Sequence, residues 1–298
     1  MSTPEMKNRK GRQQTRGQKV LVTVLFILFV CCLVLSMMIP NYRVKPYAFV
    51  VKQRAQLKSI ETAIELFNSE FDDYPPSDAM DVDDMHYCGA MKLCEAVLGW
   101  DLLGYHPDSL FRNYGTDDKG RLLYPDADAL SSEVYWANVR ARKGPYIPLD
   151  NSNVYSLVDL FGDGNTEPLA PKLLVMCDVF RHLKLPSTGK KVGMPILYYK
   201  ADTAKTAHDV DDPNNPDNIY NYKDNHALLA LGVPGKPGVK HPMYEDPKIF
   251  YEMTKNDRSL TENKPHRADT FILLSAGPDG LYGTPDDIAN FEFKWKRK

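Results

Sequence analysis

The residues best suited to chemistry in this sequence are three aspartates near its C-terminal end. Asp279, Asp286 and Asp287 fall within residues 275–288, which read SAGPDGLYGTPDDI and also contain three glycines. Hard cations such as Ca²⁺ bind carboxylate and backbone carbonyl oxygens, and a turn-rich loop offers both. The segment therefore predicts a cation-binding loop. Its spacing is not that of an EF-hand, and a solvated hairpin loop, in which Asp and Gly only shape the turn, explains these residues equally well.

No other pattern in the sequence is typical of a catalytic or metal centre. The seven histidines form no HExxH motif, no serine lies in a GxSxG motif, and no two cysteines form a CxxC pair. Carboxylates are too common among 39 acidic residues for their pairing to indicate acid–base catalysis. Cys88 and Cys94 could form a disulfide in an oxidising compartment, a question that their spacing leaves open. We therefore expect no enzymatic activity, and a membrane-anchored enzyme is the least favoured alternative.

The first element that must position this loop is a long apolar segment near the N-terminus. Residues 20–39 read VLVTVLFILFVCCLVLSMMI and contain no charged side chain. Twenty helical residues span about 30 Å, the thickness of a bilayer's hydrocarbon core. A cleavable signal peptide is the alternative, but its apolar core has only about 7–15 residues and ends in small residues. The segment therefore predicts a retained transmembrane helix, with the lipid bilayer as a partner.

Basic residues predict the orientation of this helix. Residues 1–19 carry six Lys and Arg against one Glu, and form a basic tail before the apolar segment. Only four basic residues follow it closely, within residues 40–54. Because the more basic flank stays in the cytoplasm, we expect a single-pass protein of the inner (cytoplasmic) membrane whose bulk is periplasmic or extracellular. A basic tail that faces a membrane needs no nucleic-acid partner, and we expect none.

A second helical pattern and three strand patterns follow. Apolar residues recur at steps of three and four from Leu57 to Phe71, which predicts an amphipathic stem helix over residues 41–74 that ends at the sequence DDYPP. Three segments predict the strands of a small antiparallel sheet: ILYYK (196–200), FILLS (271–275) and NFEFKW (290–295). The stem must bury its apolar stripe, and this sheet is the expected surface.

The rest of the chain divides into two regions. Residues 75–190 are a mixed insert region rich in turns, and residues 191–298 hold the sheet and the cation loop, with a long excursion at 202–268. Four short helices are expected in these regions: 91–98, 154–160, 171–183 and 249–254. A stem helix packed on a small antiparallel sheet, with these long inserts between them, is the expected α+β fold.

Three stretches of the sequence, in chain order, carry a resemblance to a known family. They are AQLKSIETAIELFNSEFDDYPPS (55–77), GMPILYYKA (193–201) and DTFILLSAGPDGLYGTPDDIANF (269–291). They resemble the stem helix, a following strand, and the final strand and loop of the major pseudopilins of type II secretion and their type IV pilin-like relatives. The resemblance implies a pilin-like α+β fold.

In that family the final loop binds a structural Ca²⁺. By position, the resemblance implies that Asp279, Asp286 and Asp287 are side-chain ligands of such an ion here. Ser275 and the carbonyl of Leu274 are implied as further ligands. No other cofactor is implied.

The resemblance also implies a structural function. The chain would be a subunit or accessory of a type II secretion or type IV pilus-like envelope assembly, with other pilin-like subunits or secretion-system proteins as partners. Two features depart from the family. Gly17 is followed by QKVLV, where the family has its cleavage glycine followed by an F-T-L-I/V-E pattern, and the inserts exceed the compact family domain. The alternative is therefore a static membrane-anchored envelope protein that uses a pilin-like domain to bind a partner or a surface polymer.

Overall fold

The computed structural model describes residues 5–125, 128, 131–185, 188–257 and 264–293, without the side chains of residues 5–16, 18, 35–46 and 151. The chain forms two compact units, Met1–Phe49 and Val50–Lys298. The helices are α1 (Glu5–Phe71), α2 (Gly89–Leu98), α3 (Ser132–Ala141), α4 (Leu149–Ser152), α5 (Leu157–Phe161), α6 (His226–Ala230), α7 (Pro242–Glu245) and α8 (Lys248–Thr254), with a 3-10 turn η1 (Tyr222–Asn225). The strands are β1 (Val154–Ser156), β2 (Leu174–Met176), β3 (Leu183–Lys184), β4 (Lys191–Val192), β5 (Leu197–Lys200), β6 (Phe271–Ser275) and β7 (Ile288–Ala289).

The described strands form three small antiparallel sheets, so the α+β class predicted from the sequence is confirmed. The largest sheet has the order β5-β6-β7, with Leu197 opposite Leu274 and Ser275 opposite Ile288. β1 pairs with β2, and β3 pairs with β4. The central strand β6 is buried along its whole length, as a continuous apolar run predicts. The chain passes directly from β6 into residues 276–287, the loop that contains the three aspartates and is called the aspartate loop here.

The part of α1 in the first unit contains the apolar segment. The described large apolar side chains from Val20 to Val34 are all exposed, by 41% to 66% of their area. Residues 35–39, which complete the predicted transmembrane segment, have side chains outside the described part of the chain. Within the residues that are described, no helix is both long enough and apolar enough to cross a membrane.

The part of α1 in the second unit, Val50–Phe71, is called the stem here. Its stripe of apolar side chains is buried, with at most 3% of each exposed: Leu57, Ile60, Ala63, Ile64 and Phe67. The ring of Phe67 lies 5.1 Å from that of Tyr105. Polar side chains also join the stem to later segments, since Gln56 Nε2 donates to the carbonyl of Cys177 at 3.0 Å.

The stem ends where the sequence predicts. Asp72 has a left-handed backbone, with φ of 58°, and its N–H still donates to the carbonyl of Asn68 at 2.8 Å. Such a residue closes the last turn of a helix, and Pro75 and Pro76 follow it. Two helices were predicted at 20–39 and 41–74, whereas the structure has the single helix α1 over this range.

The region 75–190 contributes to the core of the second unit through α2. All ten residues of α2 are buried, and the helix packs against β2 and β5. Its two charged side chains have partners, because Lys92 Nζ lies 2.8 Å from Asp78 Oδ2 and Glu95 accepts hydrogen bonds from hydroxyls that include Tyr87 Oη at 2.6 Å. Buried charges without partners would destabilise the fold strongly.

Three element predictions are corrected by the structure. The helix expected at 171–183 is wrong, because Leu174–Met176 form β2 and pair with β1. The helix expected at 154–160 begins only at Leu157, after the three residues of β1. The last strand is Ile288–Ala289, ahead of the predicted 290–295, of which residues 294 and 295 lie outside the described part of the chain. Cys88 and Cys94 are both buried free thiols.

Candidate functional site

The candidate site is the loop of residues 276–287, which joins the neighbouring strands β6 and β7. Tyr282 fixes the middle of this loop in the core, since only 1% of it is exposed and its hydroxyl donates to the carbonyl of Pro195. Its ring also lies 4.8 Å from that of His241, and its carbonyl accepts a hydrogen bond from the Met243 N–H at 3.1 Å. The loop is therefore attached to α7 and to the segment before β5.

A glycine brings the two ends of the loop together. Gly277 has φ of 62°, a conformation that side chains disfavour. A Cβ atom at this position would lie 2.1 Å from the carbonyl oxygen of Asp286. Only glycine allows this approach, which places the chain after β6 against the aspartates before β7.

The three aspartates lie close together where Gly277 approaches Asp286. The N–H of Asp279 donates to Asp286 Oδ2 at 2.8 Å, and Thr284 Oγ1 donates to Asp286 Oδ1 at 2.5 Å. The N–H of Gly283 donates to Asp287 Oδ2 at 2.7 Å. The structure thus brings Asp279, Asp286 and Asp287 into one hydrogen-bonded loop, and uses several of their oxygens to shape its turns.

The loop holds its carboxylates close together, with no positively charged partner among the described residues. Asp287 is 6% exposed, and burial raises its pKa well above the ordinary value, with Asp279 and Asp286 adding to the rise. Burial, and then the charge of Asp286, also raises the pKa of Asp279. None of the three takes part in an ion pair with a described residue. A bound cation would stabilise all three charges.

The two further ligands implied by the resemblance lie on β6, each with other contacts. Ser275 is fully buried, and its hydroxyl donates to Asp178 Oδ2 at 2.8 Å and accepts from the N–H of Gly277 at 3.2 Å. Leu274 lies within the sheet, opposite Leu197 on one side and Ala289 on the other. No hydrogen bond between described residues joins Ser275 or Leu274 to the three aspartates.

The loop fits Ca²⁺ by its donor chemistry, and its side chains do not form a ready-made cage. All its potential ligands are oxygens, its carboxylates form no ion pair with a described residue, and a turn offers backbone carbonyls. However, no three His, Cys, Asp or Glu side chains in the described part of the chain form a group that could hold a metal ion. An ion here would have to be bound by fewer carboxylates together with backbone or hydroxyl oxygens.

The sequence did not indicate that Asp178 belongs beside this loop. Asp178 is 2% exposed, and burial raises its pKa to about 8 although Ser275 and two backbone N–H groups, of Phe180 and Met194, donate to it. A Cβ on Gly193 would lie 1.9 Å from Asp178 Oδ1, so this glycine makes room for the carboxylate. The one local signal is an acidic residue directly after the apolar run LLVMC.

Comparisons with known proteins add no relative. No family model, no curated protein and no solved structure matches the chain. Its function must be inferred from the residues and geometry described above.

Proposed function

We propose that this chain is a membrane-anchored, pilin-like structural protein of the cell envelope, a subunit or accessory of a type II secretion or type IV pilus-like assembly. The observation that carries the proposal is the order of parts in the second unit. An N-terminal stem with a buried apolar stripe is followed by the antiparallel sheet β5-β6-β7, and an aspartate loop joins the last two strands. The pilin-like resemblance of the sequence implies the same order.

The anchor is the apolar segment of α1. Its described large apolar side chains are exposed on every side of the helix, by at least 41% each. Apolar side chains gain roughly 25 cal/mol for each Å² removed from water, so a helix that is apolar all round favours a lipid environment. The six basic residues before the segment place the N-terminus in the cytoplasm and the second unit in the periplasm or outside the cell.

Ca²⁺ acts structurally in this proposal. Asp279, Asp286 and Asp287 would hold the ion, with Ser275 and the Leu274 carbonyl available at the start of the loop. The ion supplies positive charge beside Asp279 and Asp287, whose pKa values are raised by burial and by the neighbouring carboxylates. Ligands that bind only the folded state stabilise it by about 2.7 kcal/mol at a hundredfold excess over Kd.

The calcium part is tested by removing two carboxylates. The double variant Asp286→Ala plus Asp287→Ala should lower the melting temperature by about 5–10 °C in saturating Ca²⁺, the shift that about 2.7 kcal/mol produces in a domain of this size. In chelator the loss should be clearly smaller, because the variant then loses only the hydrogen bonds that the two carboxylates accept within the loop and no bound ion. The exposed Asp163, changed to Ala, is the matched control and should show no Ca²⁺ dependence. Equal losses with and without Ca²⁺ would rule out the site.

The assembly part is tested by the mature N-terminus. Mass spectrometry of the native protein should find a chain that starts at Gln18 if it is processed as a pilin. A chain that starts at Met1 or Ser2 supports the static envelope protein instead. The inserts favour this second candidate, because the excursion 202–268 supplies most of a large cleft.

A further inference from the structure

The strands β3 and β4, with the residues next to them, carry a group of four exposed cations in the second unit. The group is called the basic hairpin here and consists of Arg181, Lys184, Lys190 and Lys191. No aspartate or glutamate occurs anywhere in residues 179–201. By contrast, residues 20–298 as a whole carry 38 acidic and 31 basic residues. The basic hairpin is therefore a compact positive patch on a chain that is otherwise acidic.

Two of these lysines lie directly opposite each other. Leu183 pairs with Val192, and both are buried with 4% exposed, whereas the next pair, Lys184 and Lys191, is exposed. Like charges directly opposite in an antiparallel pair destabilise it. None of the four cations forms an ion pair with a described residue. An anion bound beside the Lys184–Lys191 pair would therefore stabilise the hairpin.

The basic hairpin follows a segment that lies along the start of the stem. Gln56 Nε2 donates to the carbonyl of Cys177 at 3.0 Å, and Gln53 Oε1 accepts from the N–H of Val179 at 2.9 Å. From Cys177 to Val179 the chain therefore runs towards the first turn of the stem, where α1 enters the second unit at Val50. The first cation of the hairpin comes two residues later.

The stem has the same sign of charge at this end. Residues 40–58 contain five Lys and Arg and no acidic residue, whereas residues 59–91 contain nine acidic residues and no Lys or Arg. Lys52 and Arg54, in the first turns of the stem, are exposed. Positive charge is thus concentrated where the chain enters the second unit, and negative charge further along. An anionic partner would be attracted to the first of these two ends.

The partner that fits this end is an anionic lipid surface. The apolar segment ends at Ile39, eleven residues before Val50, and eleven helical residues span about 16 Å. A headgroup layer of about 5–8 Å and a Debye length of about 8 Å together cover most of that distance. Each Lys or Arg near an anionic membrane surface favours the contact about fivefold.

We propose that the basic hairpin binds the anionic phospholipid headgroups of the bilayer that holds the apolar segment, with the Lys184–Lys191 pair at the lipid phosphates. The inference rests on the membrane anchor of the proposed function, and adds the lipid class that the second unit recognises. It also gives the basic residues after the apolar segment a role, since the same headgroups attract them. The competing partners are a soluble anionic polymer and an acidic protein.

The test uses the full chain in nanodiscs of phosphatidylcholine, with or without one quarter phosphatidylglycerol. A fluorophore is attached through Thr188→Cys, an exposed position between the two strands, in a chain that also carries Cys31→Ser and Cys32→Ser. A trace lipid carries a quencher on its headgroup. Quenching should be at least about threefold stronger in the anionic nanodiscs. About 1 M salt should abolish this difference, because it shortens the Debye length to about 3 Å.

The variant Lys184→Gln plus Lys191→Gln should quench in the anionic nanodiscs almost as weakly as in the neutral ones, because two of the fivefold contributions are lost. The variant removes a repulsion between neighbouring strands, so its fold is retained. Lys119→Gln plus Lys223→Gln is the matched control, with the same loss of charge at exposed positions outside the hairpin. It should quench as the unchanged protein does.

Two results overturn the proposal: equal quenching in the two lipid compositions, and equal quenching in the hairpin variant and the control variant. In the first case, a shift of the fluorophore's emission on addition of heparin or polyglutamate would assign the hairpin to an anionic polymer or an acidic protein instead. Co-elution of the chain with the nanodiscs is measured first. A failure of the anchor, which also removes this proposal, is therefore distinct from a failure of the hairpin.

Discussion

Two parts of the same helix have opposite surroundings. In α1 the apolar side chains from Val20 to Val34 are exposed by at least 41% each, whereas those of the stem stripe from Leu57 to Phe67 are exposed by at most 3%. The first part is apolar on every side. The second is apolar along one stripe and has polar residues on its other faces.

The difference indicates what each part must pack against. A single apolar stripe can be satisfied by the chain's own core, and the stem is satisfied in this way. An apolar surface all round a helix cannot be covered by one protein face, which is the reason for proposing a bilayer around the first part. The two parts should therefore respond to different substitutions and in different assays.

The largest expected effect is on the apolar segment. Leu25→Arg plus Leu28→Arg should move the protein from the membrane pellet to the soluble fraction after carbonate extraction. Each Arg near the centre of a membrane helix costs about 2.5–3.5 kcal/mol on insertion scales. Leu66→Arg is the control, because Leu66 lies on the exposed face of the stem, with 46% of its area accessible. Retention of the double variant in the pellet would contradict the anchor.

The next largest effect is on the stem. Phe67→Ala should lower the free energy of unfolding by about 3–5 kcal/mol, the usual cost of truncating a buried Phe. Its neighbour Leu66 points outward, so Leu66→Ala should change it by no more than about 0.5 kcal/mol. Denaturant titration of the two variants measures both values. Similar losses would mean that the stem does not bury one stripe, and the comparison between the two parts would fail.

A smaller effect sharpens the comparison at the polar end of the stem. Asp224 of η1 is 5% exposed. It accepts a hydrogen bond at 2.5 Å from Oγ of Ser77, which lies five residues after Asp72, the residue that closes the stem helix. Burial raises its pKa to about 8. The folded state therefore favours the protonated acid. This stability is complete below the unfolded pKa of about 3.9 and is lost as the pH rises towards 8.

Asp224→Asn should remove this pH dependence. Between pH 6 and 8 the unchanged protein should lose about 2 kcal/mol of stability through this group, and the variant should show a correspondingly flatter profile. Unfolding titrations across this range measure the slope. Asp217→Asn, at an exposed position, is the control. Identical slopes in both variants would show that Asp224 ionises in the folded state as freely as in the unfolded one.

The sequence predicted the elements that depend on local patterns. The stem end at Asp72, the helix α2, the helix α8, and the strands β5 and β6 follow from periodicity, prolines and apolar runs. The helix predicted at 171–183 failed because β2 exists only through its pairing with β1, about twenty residues earlier in the chain. An apolar run of this length does not distinguish a buried strand from a helix.

Local sequence also predicted one part of the candidate site and missed another. Its three aspartates lie within nine residues of one another, so their loop was predicted from composition and spacing. The buried Asp178 that accepts from Ser275 lies 97 residues away, and no local pattern links the two. The contact of His208 with the Tyr251 carbonyl of α8 likewise joins residues that are distant in sequence, and no local pattern predicts it.

The most direct test of the central claim uses the two native cysteines of the apolar segment. Cys31 and Cys32 are exposed thiols on α1, while Cys88, Cys94 and Cys177 are buried. In intact membranes, a hydrophilic maleimide should label neither Cys31 nor Cys32, because lipid covers them, and should label both after the membranes are dissolved in SDS. Ser59→Cys, on the exposed face of the stem, should label readily in opened vesicles. Labelling of Cys31 and Cys32 as fast as this reference thiol, without detergent, would contradict the account.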